Sequence, residues 1–549
     1  MADASMDAIN AAGGGGSGLF LRKATGLVRE ISATDAFLFN AVGMNVGLGA
    51  LFMLQQAPAF FPTGNMVISA IIGTLIMAFS IQWVYSEFST AMPRSGGDYV
   101  FTSRAIHPFV GWLLGWNQAI WLIFFWVGFN AWALCQFTLP PTLQILAQTT
   151  GISGLADLGT TVASPAGTFV VGSVVNVFFA YLVLTRKFWG WQKITIVFAF
   201  AAVIIPAILA VTSGATGMKS AWDGFVAGQG SGLTYDQIIP KAQELGYAAP
   251  AGGGGLDFSA TLLMLPWVFF VVGFGVGPAQ IGGEVKRAGR SMWYALFGST
   301  LFNGLMLAAV IWLVVSGLGE QWVSSLGFLA TNHAGDLGVP GGINFLGSIL
   351  GGNIVVALII FLGFVAWALN GTPASELQAT RYMLAASLDR MVPSALGEVD
   401  EKTHSPRNGI ILCTIAGEIS ILALIAIPQA SLLGALMAQI IAYIVVSIAG
   451  IVFPYRMKEV WQAGGGRTIM GVPSIVLAGI AGVVVLGGQL WLFVSNNDVN
   501  SWFGVTRDIS LMVAGVIIGV GAVWYVVASM YNKNRGVDTG LVYRAIPPD

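Results

Sequence analysis

Three glycines and an asparagine interrupt an apolar run near its middle: VGMNVGLGALF, Val42 to Phe52, holds Gly43, Gly47 and Gly49 around Asn45. Glycine weakens a helix by roughly 1 kcal/mol relative to alanine, and a backbone group freed inside a bilayer must find a partner. A second run, FFVVGFGVGPAQIGGE from Phe269 to Glu284, carries Gly273, Gly275 and Gly277 ahead of Pro278. Proline removes a donor and clashes with the preceding turn. Helices broken at these points would put chemistry on the backbone itself. A half-helix N-terminus presents N–H groups and a positive dipole end, which suit a carboxylate. A half-helix C-terminus presents carbonyls, which suit an ammonium or a cation. Together the two breaks suit a zwitterion. Gly43–Gly47 and Gly273–Gly277 also have the GxxxG spacing of close helix packing. Their matching positions, with Asn45 in one and Pro278 closing the other, favour broken helices.

Side chains add a second set of candidates. An ionisable group at membrane depth costs about 2.5–3.5 kcal/mol or more, so each needs a reason. Glu87 and Glu284 fall near the ends of apolar runs beside basic loops, and a gate or ion-pair role is expected ahead of proton carriage. Glu376 has Arg381 and Arg390 as possible partners. Glu418, ten residues past Asn408 and ten before Pro428, either pairs with a polar group on a neighbouring helix or titrates. The hydroxyls of Thr372 and Ser375, in ALNGTPAS, are candidates for a sodium ion. His107, His333 and His404 lack ligand spacing, and no metal or cofactor is expected. Cys135 and Cys413 read as small hydrophobes.

The elements that must position these residues are membrane spans. The chain has 549 residues, 56% hydrophobic and 9% charged, with mean hydropathy +0.78. Soluble domains carry about a quarter charged residues, so lipid is the expected solvent, and the net charge of −1 argues against a nucleic-acid partner. Twelve apolar stretches are expected, near 33–58, 63–91, 108–139, 166–185, 189–213, 257–282, 291–316, 346–380, 408–428, 430–454, 472–495 and 509–531. With both termini cytoplasmic, 21 of the 24 basic residues fall inside, leaving only Lys219, Lys241 and Arg507 outside. That partition follows the positive-inside rule. The interrupted first and sixth spans stand five helices apart and so run in opposite directions, as in inverted repeats. The expected organisation is a flexible cytoplasmic tail over 1–26, a first repeat of five helices over 27–213, and an extracellular loop over 214–256. A second repeat over 257–454, two further helices over 455–531 and a cytoplasmic tail over 532–549 complete it. The two long outer loops, about 214–256 and 317–345, are acidic and Gly-rich, and read as solvated connections or as a lid.

The second and third spans carry YSEFSTAMPRSGGDYVFTSRAIHPFVGWLLGWNQ, Tyr85 to Gln118. This resembles the signature of amino acid permeases of the APC (amino acid–polyamine–organocation) superfamily, matched at Tyr85, Glu87, Phe88, Pro93, Ser95, Gly96, Gly97, Tyr99, Gly111, Trp112, Gly115 and Trp116. GEVKRAGRSM resembles the family's loop after span six at Glu284, Val285, Lys286 and Arg290. ATRYMLAASLDRMVP resembles the stretch after span eight at Arg381, Asp389 and Pro393. The resemblance covers about 27–460. It implies an all-α integral membrane protein of twelve transmembrane helices, a five-plus-five inverted repeat with discontinuous helices one and six, alternating access, and amino acid or amine substrates. It places a substrate carboxylate on the backbone of Val46, Gly47, Leu48 and Gly49 beside Asn45. The ammonium would meet carbonyls around Phe270, Val272 and Gly273, next to Gly275, with Phe274 and Trp126 as covering aromatics. The chain departs from the family where an acid or amide often follows the sixth-span glycine and in its Arg287-Ala288 where the family has Asn-Pro. Lys193 lies too close to the cytoplasmic start of the fifth span to replace a sodium ion.

These readings converge on a secondary carrier in the cytoplasmic membrane for neutral, apolar amino acids, coupled to H⁺ or Na⁺ or working by exchange. Polyamines or organic cations, or a non-transporting nutrient sensor on the same fold, are the alternatives; an enzyme or a channel lacks the residues it would need. Oligomeric state is not legible. Gly47→Leu is expected to abolish binding while leaving folding largely intact.

Overall fold

The computed structural model describes residues 27–248, 256–426, 432–496, 507–544 and 546. The expected tail over 1–26 lies outside them, as do Pro428 and part of the 214–256 segment. The principal helices in chain order are α1 (Ala33–Gly43), α2 (Val46–Gln55), α3 (Met66–Ala91), α4 (Gly97–Ala105), α5 (Pro108–Thr150), α6 (Pro165–Leu184) and α7 (Phe188–Gln229). Then come α8 (Phe258–Val272), α9 (Gly277–Gln280), α10 (Ala288–Leu318), α11 (Glu320–Asn332), α12 (Ile343–Gly351) and α13 (Ile354–Leu388). The chain ends with α14 (Arg407–Ala426), α15 (Leu432–Arg456), α16 (Ser474–Ser495), α17 (Arg507–Asn534) and α18 (Thr539–Val542). One short hairpin pairs Thr468–Ile469 with Val472–Pro473.

Among the described residues, eleven helical stretches are long and apolar enough to cross a membrane, against the twelve expected. The shortfall is the sixth. At 1.5 Å per residue α8 reaches about 22 Å, short of the ~30 Å hydrocarbon core. It stops at Gly273, and only the four residues of α9 resume helix before Gly282 and Gly283.

The first break has a local cause. Met44 still bonds back to Asn40, but Asn45 adopts φ 46°, the left-handed region that Asn tolerates better than other side chains. Its Oδ1 then accepts from Leu48 N at 3.1 Å and caps α2. One residue ends one helix and begins the next.

The expected outer loops are largely helical. Gly214, at φ 61°, kinks α7, yet helix continues to Gln229 and returns at Ile238–Glu244. Its apolar side chains explain why: Trp222 and Phe225 pack edge-on against Phe345, and Tyr235 stacks on Trp322 at 4.7 Å. Tyr247 bonds the Pro58 carbonyl at 3.0 Å, fastening this cap to the end of the first crossing. The segment 317–345 likewise contains α11 and the start of α12. At the centre, α13 packs on α7, where Trp367 Nε1 donates to Ala199 O at 2.7 Å.

Candidate functional site

The two breaks face each other across one cavity. The second is held open by side chains of other helices: Gly275 O accepts from Asn40 Nδ2 at 2.7 Å, and Gly273 O accepts from the Tyr443 hydroxyl. At the first break, Asn45 Nδ2 donates to Trp367 O at 3.2 Å. Leu48 N and Gly49 N are taken by Asn45 itself, so Val46 N and Gly47 N are the first-turn amides of α2 without a hydrogen bond among the described residues.

The cavity, about 60 Å³, is lined by Gly43 and Asn45 from the first break and Phe274 and Val276 from the second. Gln118, Trp121, Leu122, Trp126 and Asn130 come from α5, Gln280 from α9, Gly371, Ala374, Ser375, Gln378 and Tyr382 from α13, and Gln439 from α15. A π-helical turn at Leu122–Trp126 sets α5's register there, a device common at functional sites. Trp126 meets Phe274 edge-on at 4.4 Å and forms an aromatic wall with Phe270. No charged side chain lines this space; its polarity comes from amides and hydroxyls. Asn130 Nδ2 and Gln439 Nε2 are buried with no partner among the described residues.

Of the expected site residues, Asn45, Trp126, Phe274 and Ser375 meet in this lining. Val46, Gly47, Leu48 and Gly49 form the first turn of α2 behind it, and Phe270, Val272, Gly273 and Gly275 flank the second break. A Cβ at Gly47 would lie 2.3 Å from Trp367 Cδ1, and one at Gly49 2.1 Å from Val271 Cγ2. Gly47→Leu would therefore break packing, and the expectation that it spares folding is corrected. Thr372 Oγ1 is buried without a partner among the described residues, outside the lining, whereas Ser375 Oγ donates to Gly371 O at 2.9 Å. Glu418 is held away from the cavity by Ser173 (2.5 Å) and Asn176 (2.8 Å) of α6. Glu87 accepts from Trp83 Nε1 at 2.9 Å and from Ser474. Glu284 pairs with Arg381 at 2.8 Å, with Arg186 at 3.7 Å. Arg381 is thus not Glu376's partner; both Glu376 oxygens are buried and unbonded among the described residues.

Sequence reasoning missed the cavity floor. Gly96 and Gly97, at φ 91° and 42°, let the SGGDY loop dock on the chain after the second break: Gly96 N bonds Gln280 O at 2.8 Å. A Cβ at Gly97 would meet the Ala279 backbone at 2.9 Å. The turn buries Asp98. Its carboxylate accepts from Tyr85 at 2.7 Å, from Tyr382, from Gln280 at 3.5 Å and from Gln118. Burial raises the Asp98 carboxyl above the ordinary range, against the opposing pull of these donors. From the same helix Arg104 grips Asp389 through two 2.7 Å bonds, and Tyr99 donates to the same carboxylate at 2.6 Å. An acid directly after a glycine pair was the available signal for Asp98; the amides gave none, since single amides in apolar runs are common.

Comparison with known proteins accords with this geometry. A family model described as amino acid permease matches residues 33–536. A branched-chain amino acid permease, BcaP, of Lactococcus lactis subsp. cremoris is 24% identical over 396 residues, covering 69% of this chain and 73% of that protein. The Bacillus subtilis protein of the same name is 20% identical over 467 residues, 82% of this chain and 86% of its own length.

Proposed function

The chain belongs to the amino acid permease family, a membrane transporter and not an enzyme, and we propose that it is a secondary carrier of neutral branched-chain amino acids working by alternating access. The observation that carries the substrate class is the uncharged cavity between two helix breaks. Backbone amides at Val46 and Gly47 suit a carboxylate, carbonyls of the second break suit an ammonium, and Trp126, Phe274 and Leu122 suit an aliphatic side chain. The names of the two relatives point to the same substrates.

In this reading α8 and α9 together make the remaining crossing, giving twelve spans. Residues 27–213 and 257–454 are the inverted repeats, and both termini face the cytoplasm. Uptake is driven by an ion gradient or by exchange. Thermal unfolding of the purified protein tests the substrate class: a ligand at 100 times its Kd adds about 2.7 kcal/mol of stability. Leucine, isoleucine or valine should raise the midpoint and spermidine should not; a shift with spermidine alone overturns the reading. Omitting sodium from the same assay tests Thr372 and Ser375.

A further inference from the structure

Asp98 is buried and does not itself line the cavity. The groups facing its carboxyl are Tyr85 on α3, Gln118 on α5, Gln280 on α9, Tyr382 on α13 and, at longer range, Tyr443 on α15. None is a cation. The nearby charges are spoken for: Arg104 pairs with Asp389, and Arg381 and Arg186 with Glu284. A buried carboxylate is normally matched by a base or a metal; among the described residues this one is held by phenols and amides.

Gln118, Gln280 and Tyr382 also line the substrate cavity. One hydrogen-bonded layer therefore joins the cavity to the acid and ties α3, α4, α5, α9 and α13 together beneath it. All of its donors need an acceptor. Ionised Asp98 supplies two acceptor oxygens; protonated, it turns one of them into a donor facing the Tyr85 or Tyr382 hydroxyl. The layer is tight with the charge present and loosened without it.

We propose that Asp98 is the proton-binding site of this carrier, taking a proton from the cavity and so releasing the layer that closes the cavity floor. The proton is given up when the parted layer admits water to the carboxyl. Only the O–H bond of the carboxyl forms and breaks, and one proton moves with each opening. This rests on the permease reading and extends it to the coupling ion.

Leucine binding by the purified full-length protein, followed by tryptophan fluorescence across a pH series, tests it, since Trp121 and Trp126 line the cavity. Wild-type affinity should rise through one titration as pH falls, and Asp98→Asn should flatten that dependence. Tyr85→Phe removes one donor to the charged form and should move the midpoint up by about one pH unit. An Asp98→Asn profile like the wild type's, or a flat wild-type profile, overturns the proposal. Should Asp98→Asn not fold, an unmoved midpoint in Tyr85→Phe does so. An infrared titration of the protonated-carboxyl band needs no substrate: a wild-type band that Tyr85→Phe shifts in pH supports Asp98, and one that it leaves unmoved overturns it. Wild-type protein that binds no leucine yet shows the shifted band sinks the branched-chain reading and leaves the proton site standing.

Discussion

At the scale of single residues, the first break was legible because its chemistry is local. Asn45 is the one residue of VGMNVGLGALF able both to sit in the left-handed region and to cap the next helix, and it does both. The glycines divide in a way their spacing hides. Gly43 lines the cavity and a Cβ there meets nothing within 4 Å, whereas Gly47 abuts Trp367. Gly43→Ala should keep or slightly raise the unfolding midpoint, as Gly to Ala in a helix does. It should also weaken leucine binding roughly tenfold by placing a methyl in the cavity. Gly47→Ala should lower stability by about 1–3 kcal/mol through overpacking. Midpoints and leucine titrations on the two variants check this; unchanged affinity in Gly43→Ala would remove Gly43 from the site. The amides Gln118, Asn130, Gln280 and Gln439 could not be read in this way. Their role is set by five different helices meeting, and no local pattern encodes that.

Elements were legible where hydrophobic length alone decides them and were misread where partners lie far apart in sequence. The described part of the 214–256 segment, 214–248, is largely helical because Trp222, Phe225 and Tyr235 find Trp322 and Phe345, about a hundred residues away. The C-terminal tail also takes its place from a distant partner. After α17 the chain turns back through α18, and Tyr543 is buried with its hydroxyl 3.0 Å from that of Tyr99. The Arg104 guanidinium lies 4.9 Å from its ring centre. A short element whose most buried side chain is one aromatic opens locally without unfolding the rest. Tyr543→Ala, losing about 2 kcal/mol of packing and cation–π contact, should leave the unfolding midpoint nearly unchanged while opening the tail about thirtyfold more often. Limited proteolysis of the residues after Asn534 measures it. Cleavage at the wild-type rate would mean that Tyr543 does not hold the tail.

For the whole molecule, the charge distribution carries the orientation. Four of the basic residues assigned to the inside are held around the SGGDY loop and the end of α13: Arg104 on Asp389, Arg186 and Arg381 on Glu284, Arg456 on the carbonyls of Ala105 and Ile106. Two of the three bases assigned outside pair within the α7 cap, Lys219 with Asp236 and Lys241 with Glu244. This segregation supports cytoplasmic termini because translocating a basic loop is disfavoured and an acidic one contributes little. With the proposed cytoplasmic termini, Asp98 lies on the cytoplasmic side of the cavity, and that orientation sets the working direction of the proposed proton site. Both native cysteines are buried, so introduced thiols report cleanly. A Cβ at Gly335 meets nothing within 4 Å, and Lys402 is exposed on the opposite set of loops. An impermeant thiol reagent added to intact cells should label Gly335→Cys at once and Lys402→Cys only after the membrane is opened. The reverse pattern would invert the topology and place Asp98 above the substrate, where its protonation would open the cavity outward.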